Sequence, residues 1–533
     1  MTKKEVILLI LILLIAAFFR FWQLDKIPPG LYPDEAINGN EAISNPGKVF
    51  YPENNGREGL FINLISLSFS IFGVSIWVLK IVPAIIGILT VLGLYLLTKE
   101  LLNHYENRSR SIALLASFFL AVSFWHVNFS RIGFRAILLP FVLVFSFYFL
   151  FRGLRNRRIR DFIISGVIFG LGFYTYISFR FTILILPAIF IPFWLIYRRE
   201  RQSKKFFYLV ACFLLLVAIV ALPIGIYFLK NPQDFMGRAT PISVFATENP
   251  VKELGKSLVL HLAMFNFYGD SNWRHNFSGS PMLPWPIGIL FLIGIIFSIK
   301  ELMNFRKHKN LSFVISHLSL VIWFIVMLLP GILTYEGVPH ALRVIGVIPV
   351  VYIFSGIGGV KIYQFFKKNS KSPEGKPSAS YGARKKLLLV TSFLFLIAVC
   401  FSEFDKYFLD WGENLEVKGA FTKRFLEEGW FLDSLPPETQ KYVIVNESGV
   451  PVPWPDGIPM PAQTIMFSEN IKYGSPQSTY LLPKNLGQIK IDSRATVILP
   501  MKYEQNLFDE LVLKFPKGKI EKKEEFSVYK VNF

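Results

Sequence analysis

The sequence is broken into apolar runs of bilayer-spanning length, and nothing else in it restricts the fold so strongly. A spanning helix needs roughly 20 mostly apolar residues, and by that rule about eleven spans are read. They fall near 6–22, 76–98, 111–128, 134–152, 161–178, 181–197, 206–229, 284–300, 311–331, 341–363 and 386–402. Of the 533 residues 53% are hydrophobic, 54 are Phe, and the mean hydropathy is +0.44, which excludes a water-soluble fold. The formal charge of +20 would suit a nucleic-acid partner only if it formed one stripe, and it does not.

The basic residues instead gather between the spans. Threaded from a cytoplasmic N-terminus, the chain places Lys3-Lys4, Lys99 to Arg110, Arg152 to Arg160, Arg198 to Lys205, Lys300 to Lys309 and Lys361 to Lys386 inside. That agrees with the positive-inside rule, and the opposite threading breaks it everywhere. The run Val6 to Trp22 follows two lysines as a signal peptide would, yet no small-residue cleavage site follows it, so it is read as a retained first span. Cys212 and Cys400 each sit in an apolar run, which leaves no disulfide framework or cysteine metal site.

The same threading leaves 23–75, 230–283, 332–340 and 403–533 outside. Leu60 to Phe72 is apolar but too short to cross, and suits a helix lying in the outer interface. Residues 364–386 read as a cytoplasmic linker, Ser, Pro, Gly and Lys filling the stretch from Lys367. The expected organisation is an all-α membrane domain over 1–402 and a small extracytoplasmic α/β domain over 403–533. That last part alternates apolar and polar residues, as in Lys441-Tyr-Val-Ile-Val445 and Ala495-Thr-Val-Ile-Leu499.

Chemistry is sought in the outer segments. Asp34 and Glu35 follow the first membrane exit behind Pro28, Pro29 and Pro33; a partly desolvated carboxylate there can take a proton from an attacking hydroxyl. Pro-Asp-Glu is equally a good helix start. Arg57 and Glu58 return a cation and a carboxylate to the same level, Glu58 as an aid to the acceptor or a divalent-cation ligand with Asp34, or else as a cap or surface ion pair. Arg20, Arg131, Arg135, Arg180, Arg274 and Arg343 lie at outer ends of spans, where positive-inside topology does not explain them. Arg131 and Arg135, four apart, are expected on one helix face, and His340 lies three residues before Arg343. A lipid-linked phosphate is a fitting counter-anion, with headgroup contact or snorkelling as the alternative. Tyr174 and Tyr176 could stack a sugar or belong to an aromatic belt. Asp270, Trp273, Arg274, His275 and Asn276 crowd one outer loop, with His275 either a metal ligand or merely hydrogen-bonded.

Taken together, Arg20, Pro28-Pro-Gly-Leu-Tyr-Pro-Asp-Glu-Ala36, Asn54-Asn-Gly-Arg-Glu58, Phe129-Ser-Arg-Ile-Gly-Phe-Arg135, Tyr174-Thr-Tyr176 with Arg180, Trp273-Arg-His-Asn276 and Pro339-His-Ala-Leu-Arg343 resemble the C-type (GT-C) glycosyltransferases. These use polyprenyl-phosphate sugars, and the similarity is to the bacterial relatives of protein O-mannosyltransferases and of the aminoarabinose transferase. The resemblance covers most of residues 15–360. It implies an inverting transfer to a protein, lipid or glycan acceptor, with Asp34 as base, Glu35 as its acidic neighbour, and basic residues on the carrier phosphate. Glu58 matches a second acidic position near a bound cation in some relatives; since members differ in metal need, the cofactor stays open. It also implies outer helices lying on the membrane, and the plasma membrane as location. The competing reading is a transporter or flippase of lipid-linked glycans, whose charged residues would line a path at mid-membrane rather than gather outside; a lipid-linked sensor is a third.

Overall fold

The structure is a computed structural model that describes residues 2–105, 107–237, 240–304, 311–369, 379–452 and 457–533. Residues 370–378 of the expected linker and the end of the basic stretch at Lys309 lie outside the described residues. Among the described residues, eight helices are long and apolar enough to cross a membrane: Ile76–Leu101, Arg135–Asn156, Ile177–Arg199, Ser203–Lys230, Trp285–Met303, Leu311–Ile332, Ile345–Lys368 and Lys386–Trp411. The other three expected spans fall on helices that differ in composition or length. Lys3–Phe21 is charged at both ends, Asn107–Val122 stops at Ser123 before the short Phe124–Phe129, and Ile159–Leu171 gives way to a tighter turn at Gly172–Tyr174.

Packing divides the chain into two compact units. Unit one takes Met1–Trp22, Pro83–Arg131 and Arg135–Trp411 and holds most of the membrane helices. Its first helix starts on a capping box in which Thr2 accepts from the Glu5 amide and Glu5 from the Thr2 amide. Glu5 then gathers Lys99 at 2.5 Å and Arg110 at 3.8 Å, together with the Tyr95 hydroxyl, so one buried acid ties three helices at their basic ends. Helices Trp285–Met303 and Ile348–Asn369 touch backbone to backbone through Gly294 and Gly358, where a Cβ would lie 1.9 Å from the Phe354 and Leu290 carbonyl oxygens respectively. Small residues allow that approach where lipid supplies no hydrophobic drive between helices.

Unit two takes Gln23–Val82, Ile132–Phe134 and Gly412–Phe533. Its sheet has five strands in the order Thr479–Leu481, Gln440–Ile444, Thr496–Pro500, Ser527–Val531, Lys519–Lys522. The first three run parallel and the last two antiparallel to their neighbours. Val443, Leu499 and Val528 fill one face with Ile465 and Leu432, while Ile444, Ile498 and Tyr529 meet Phe508 and Leu511 on the other. Helices on both faces explain why the central strands read as near-continuous apolar runs.

Residues 23–75 belong to this second unit. They fold as helix Pro33–Ser44, a two-stranded hairpin pairing Phe50–Tyr51 with Arg57–Glu58, and helix Leu60–Phe72, with the bounds read from sequence for a helix too short to cross. The hairpin turns at Asn54, Asn55 and Gly56, all with positive φ, which Asn and Gly tolerate best. Helix Pro33–Ser44 lies against helix Ala462–Tyr473. Asn40 donates to the Gln463 backbone and side-chain oxygens at 3.0 and 2.9 Å and accepts from Asn470 at 2.7 Å. Thr422 and Thr464 both donate to the Leu31 carbonyl, and a Cβ on Gly39 would lie 2.4 Å from the Phe467 ring.

Candidate active site

In unit two the acidic pair divides its labour. Pro33 supplies the first helical residue, which needs no amide hydrogen, so Asp34 and Glu35 both fall in the first turn, where the helix dipole favours carboxylates. Glu35 is fully buried, accepting from the Gly133 amide at 2.6 Å and the Tyr32 amide at 3.3 Å. Burial pushes its carboxyl above the usual range and Asp34 adds to that, against Lys80 and the two amides. Lys80, itself buried, donates to the Pro28 and Gly30 carbonyls and so fixes the loop that leads in. Asp34 is only half-buried. Its Oδ1 accepts from Asn54 Nδ2 at 2.9 Å, and no basic group among the described residues pairs with it. It is the carboxylate of the pair with acceptor capacity to spare.

Arg57 and Glu58 sit in the buried hairpin rather than at a helix start. Arg57 reaches Glu41 at 2.6 Å and Asn38 at 2.8 Å, making a buried pair with Glu41 and not with its neighbour. Burial raises Glu41 to about 7 against that attraction. Asn38 also donates to the Gly133 carbonyl, so Gly133 is held on both sides of its peptide by helix Pro33–Ser44.

In unit one the arginines fall into two sets. Arg20 and Arg131 are wholly buried and serve backbone carbonyls: Arg20 donates to Ala16, Leu120 and Ala121 and meets His126 Nδ1 at 2.7 Å, while Arg131 donates to Phe19 and Trp22 and lies over Phe408 at 5.0 Å. The expectation that Arg131 and Arg135 share a helix face is corrected. Helix Phe124–Phe129 ends before Arg131, and Arg135 opens a new turn beyond Gly133. Arg135, Arg180, Arg274 and Arg343 remain partly accessible. Arg135 lies over Tyr176 at 5.5 Å; Arg180 donates to the Phe235 carbonyl and lies over Phe235 at 4.1 Å. Tyr174 is occupied elsewhere. Its hydroxyl donates to the Val220 carbonyl and accepts from the Ile224 amide, one residue past Pro223 in a long helix.

The loop around Asp270 meets the segment around His340. Asp270 accepts from the Asn272 amide at 2.8 Å, the Ala341 amide at 2.7 Å and His275 Nδ1 at 2.9 Å. His340 Nδ1 lies 4.0 Å from the same carboxylate, and its ring is 4.9 Å from that of His275. One ligand atom from each of Asp270, His275 and His340 falls within 4.8 Å of the others, close enough to hold a divalent ion. Arg343 donates to the Thr334 hydroxyl at 2.8 Å and the Glu336 carbonyl at 2.7 Å. Asn276 ties the Asp270 and Ser280 carbonyls, Asn128 donates to the Arg274 carbonyl, and Trp411 donates to that of Trp273. His261 went unnoticed in the sequence, being one polar residue in helix Pro250–Ala263. Its Nε2 accepts the His340 amide while Nδ1 meets the Ser257 carbonyl, and burial lowers it to about 4.

Comparison with known proteins supplies independent weight. Residues 60–224 match the family model described as dolichyl-phosphate-mannose-protein mannosyltransferase. A curated Bacillus subtilis protein, "Putative mannosyltransferase YkcB", is 27% identical over 228 residues, which are 41% of this chain and 30% of the relative, so the match spans less than a third of that relative's length. Two crystal structures of ArnT from Cupriavidus metallidurans, one bound to undecaprenyl phosphate and one apo, each superpose with a TM-score of 0.55 at 12% identity over 100% of this chain and 99% and 98% of theirs. The chain is therefore a multi-pass membrane protein with an ArnT-like fold, whose residues 60–224 match a mannosyltransferase family model.

Proposed function

We propose that the chain transfers a sugar from a polyprenyl-phosphate carrier to an acceptor hydroxyl on the extracytoplasmic face, with inversion at the sugar carbon. The observation that carries the reading is Asp34: a half-exposed carboxylate with one neutral donor, fixed in the first turn of a helix beside a fully buried acid. In this reading Asp34 takes the acceptor proton as the oxygen attacks the anomeric carbon, and the bond from that carbon to the carrier phosphate breaks. The departing phosphate gains charge, so cations placed on it stabilise the transition state more than the ground state. Arg343, Arg274 and Arg135, each partly accessible, are assigned that task. Arg20 and Arg131, spent on carbonyls, hold the helix ends. Glu35 anchors the loop through Gly133 rather than exchanging protons, and Tyr176 backs Arg135.

The carrier-bound ArnT structure and the mannosyltransferase family description support this donor class. The Asp270, His275 and His340 cluster fits a divalent ion, whose charge would assist the leaving group. The threading that puts the first segment and the region after Trp411 outside supports an extracytoplasmic site. The test is transfer from a radiolabelled polyprenyl-phosphate sugar in proteoliposomes. Product formation with release of carrier phosphate, abolished in Asp34→Asn, is expected; movement of intact carrier without product would favour a flippase and overturn the reading.

A further inference from the structure

Five helices of unit one, Lys3–Phe21, Asn107–Val122, Trp285–Met303, Ile348–Asn369 and Ala379–Phe404, border a half-open cavity of about 1500 Å³. That exceeds the roughly 300–1,000 Å³ of ordinary small-molecule sites. Its wall is apolar for most of its length, with Ile15, Leu115, Ile289 and Phe401 among the residues that face it. Charge is confined to one end. Arg108 comes from the first turn of its helix, Lys367 and Lys368 from the last turn of theirs, and no Asp or Glu lines the space among the described residues.

A void of this size forfeits the dispersion contacts of its lining, and an apolar wall does not hold water. In a bilayer the filling is hydrocarbon, and three cations at headgroup depth select a chain that ends in a phosphate. The candidate donor site cannot provide that phosphate. Arg343 precedes helix Ile348–Asn369, while Lys367 and Lys368 close it, about 28 Å away at 1.5 Å per residue.

We propose that this chamber is a built site for an anionic glycerophospholipid, with its phosphate on Arg108, Lys367 and Lys368 and its acyl chains between helix Ala379–Phe404 and the rest of the bundle. By the positive-inside threading the lipid comes from the cytoplasmic leaflet. It replaces the protein neighbours that helix Ala379–Phe404 lacks on that side, fixing the helix that leads into Tyr407 and Trp411, whose side chains reach Asn128 and the Trp273 carbonyl.

Native mass spectrometry of the full chain, delipidated in detergent and then offered phosphatidylglycerol or phosphatidylcholine vesicles, tests this without any transfer assay, so its failure is separate from that of the proposed activity. One phosphatidylglycerol retained in preference to phosphatidylcholine, with at least a tenfold loss in Arg108→Ala/Lys367→Ala/Lys368→Ala, is expected. Cys400 lines the chamber and Cys212 does not. In a Cys212→Ser background, phosphatidylglycerol should therefore slow labelling of Cys400 by a lipid-soluble maleimide at least fivefold. Leu396→Trp, which fills the space without touching the charges, should also cut retention. Equal retention of both lipids, retention untouched by the triple variant, or polyprenyl phosphate held in place of phospholipid would each overturn the proposal.

Discussion

Two segments of this molecule, a loop and the first turn of a helix, each present an aspartate, and the company each keeps differs. Asp270 in unit one accepts from two backbone amides and a histidine, which saturates one oxygen and occupies the other. Asp34 in unit two accepts from a single asparagine. A carboxylate filled with donors is a strut that fixes backbone; one left with open lone pairs can still accept a proton. Donor count thus separates scaffold from reagent more sharply than position in the sequence, and it places Glu35, with its two amides, among the struts.

The largest effect should come from Asp34→Asn, which keeps an acceptor for Asn54 and removes the proposed base. Turnover in the labelled-donor assay should fall by roughly 10²–10⁴, the usual worth of general-base catalysis, with an unchanged melting temperature. Asp270→Asn should differ in lowering stability by about 1–3 kcal/mol as buried donors lose their acceptor, read by thermal unfolding in detergent. If the two variants behaved alike, the distinction would collapse. Arg343→Ala should lower kcat/KM for the carrier-linked donor by roughly tenfold, mainly through kcat, in line with one lost charge-assisted contact to the departing phosphate.

Glu428 extends the series to a carboxylate with no donor at all, buried in unit two with only Arg424 Nε at 3.4 Å. Burial holds its carboxyl well above the usual range, against the pull of Arg424. Its proton is thus bound more tightly in the folded chain than in the unfolded one. The stability it contributes is present below the ordinary carboxylate range and is lost as pH rises through the folded value. Glu428→Gln should raise the melting temperature by a few degrees at pH 7 to 8 and leave it unchanged near pH 4. The smallest effect, about 1 kcal/mol, is expected for Thr464→Val, which removes one of the two hydroxyls on the Leu31 carbonyl.

Local features were legible in the sequence. Helix Leu60–Phe72 and most apolar runs were read directly, because bilayer thickness and helical rise fix their length. The strands near the C-terminus were read as well, though their central ones are near-continuous apolar runs buried on both faces rather than alternating ones. What escaped was pairing at a distance. Nothing in one sequence announces that the rings of His275 and His340 lie side by side, or that Asn40 meets Asn470. The expected face shared by Arg131 and Arg135 failed because spacing presumes an unbroken helix, and Gly133 marks the break. Arg20 misled for a related reason: a guanidinium can neutralise carbonyl dipoles at helix ends as well as an anion.

The nesting of helix Pro33–Ser44 against helix Ala462–Tyr473 has a consequence for biogenesis. The segment bearing Asp34 leaves the ribosome among the earliest parts of the chain, yet Gly39 and Asn40 find Phe467 and Asn470 only after nearly all of it has been made. Until then the segment waits outside its final housing, so a chain cut short after Trp411 would insert its helices and still lack the partners that fix Asp34's helix.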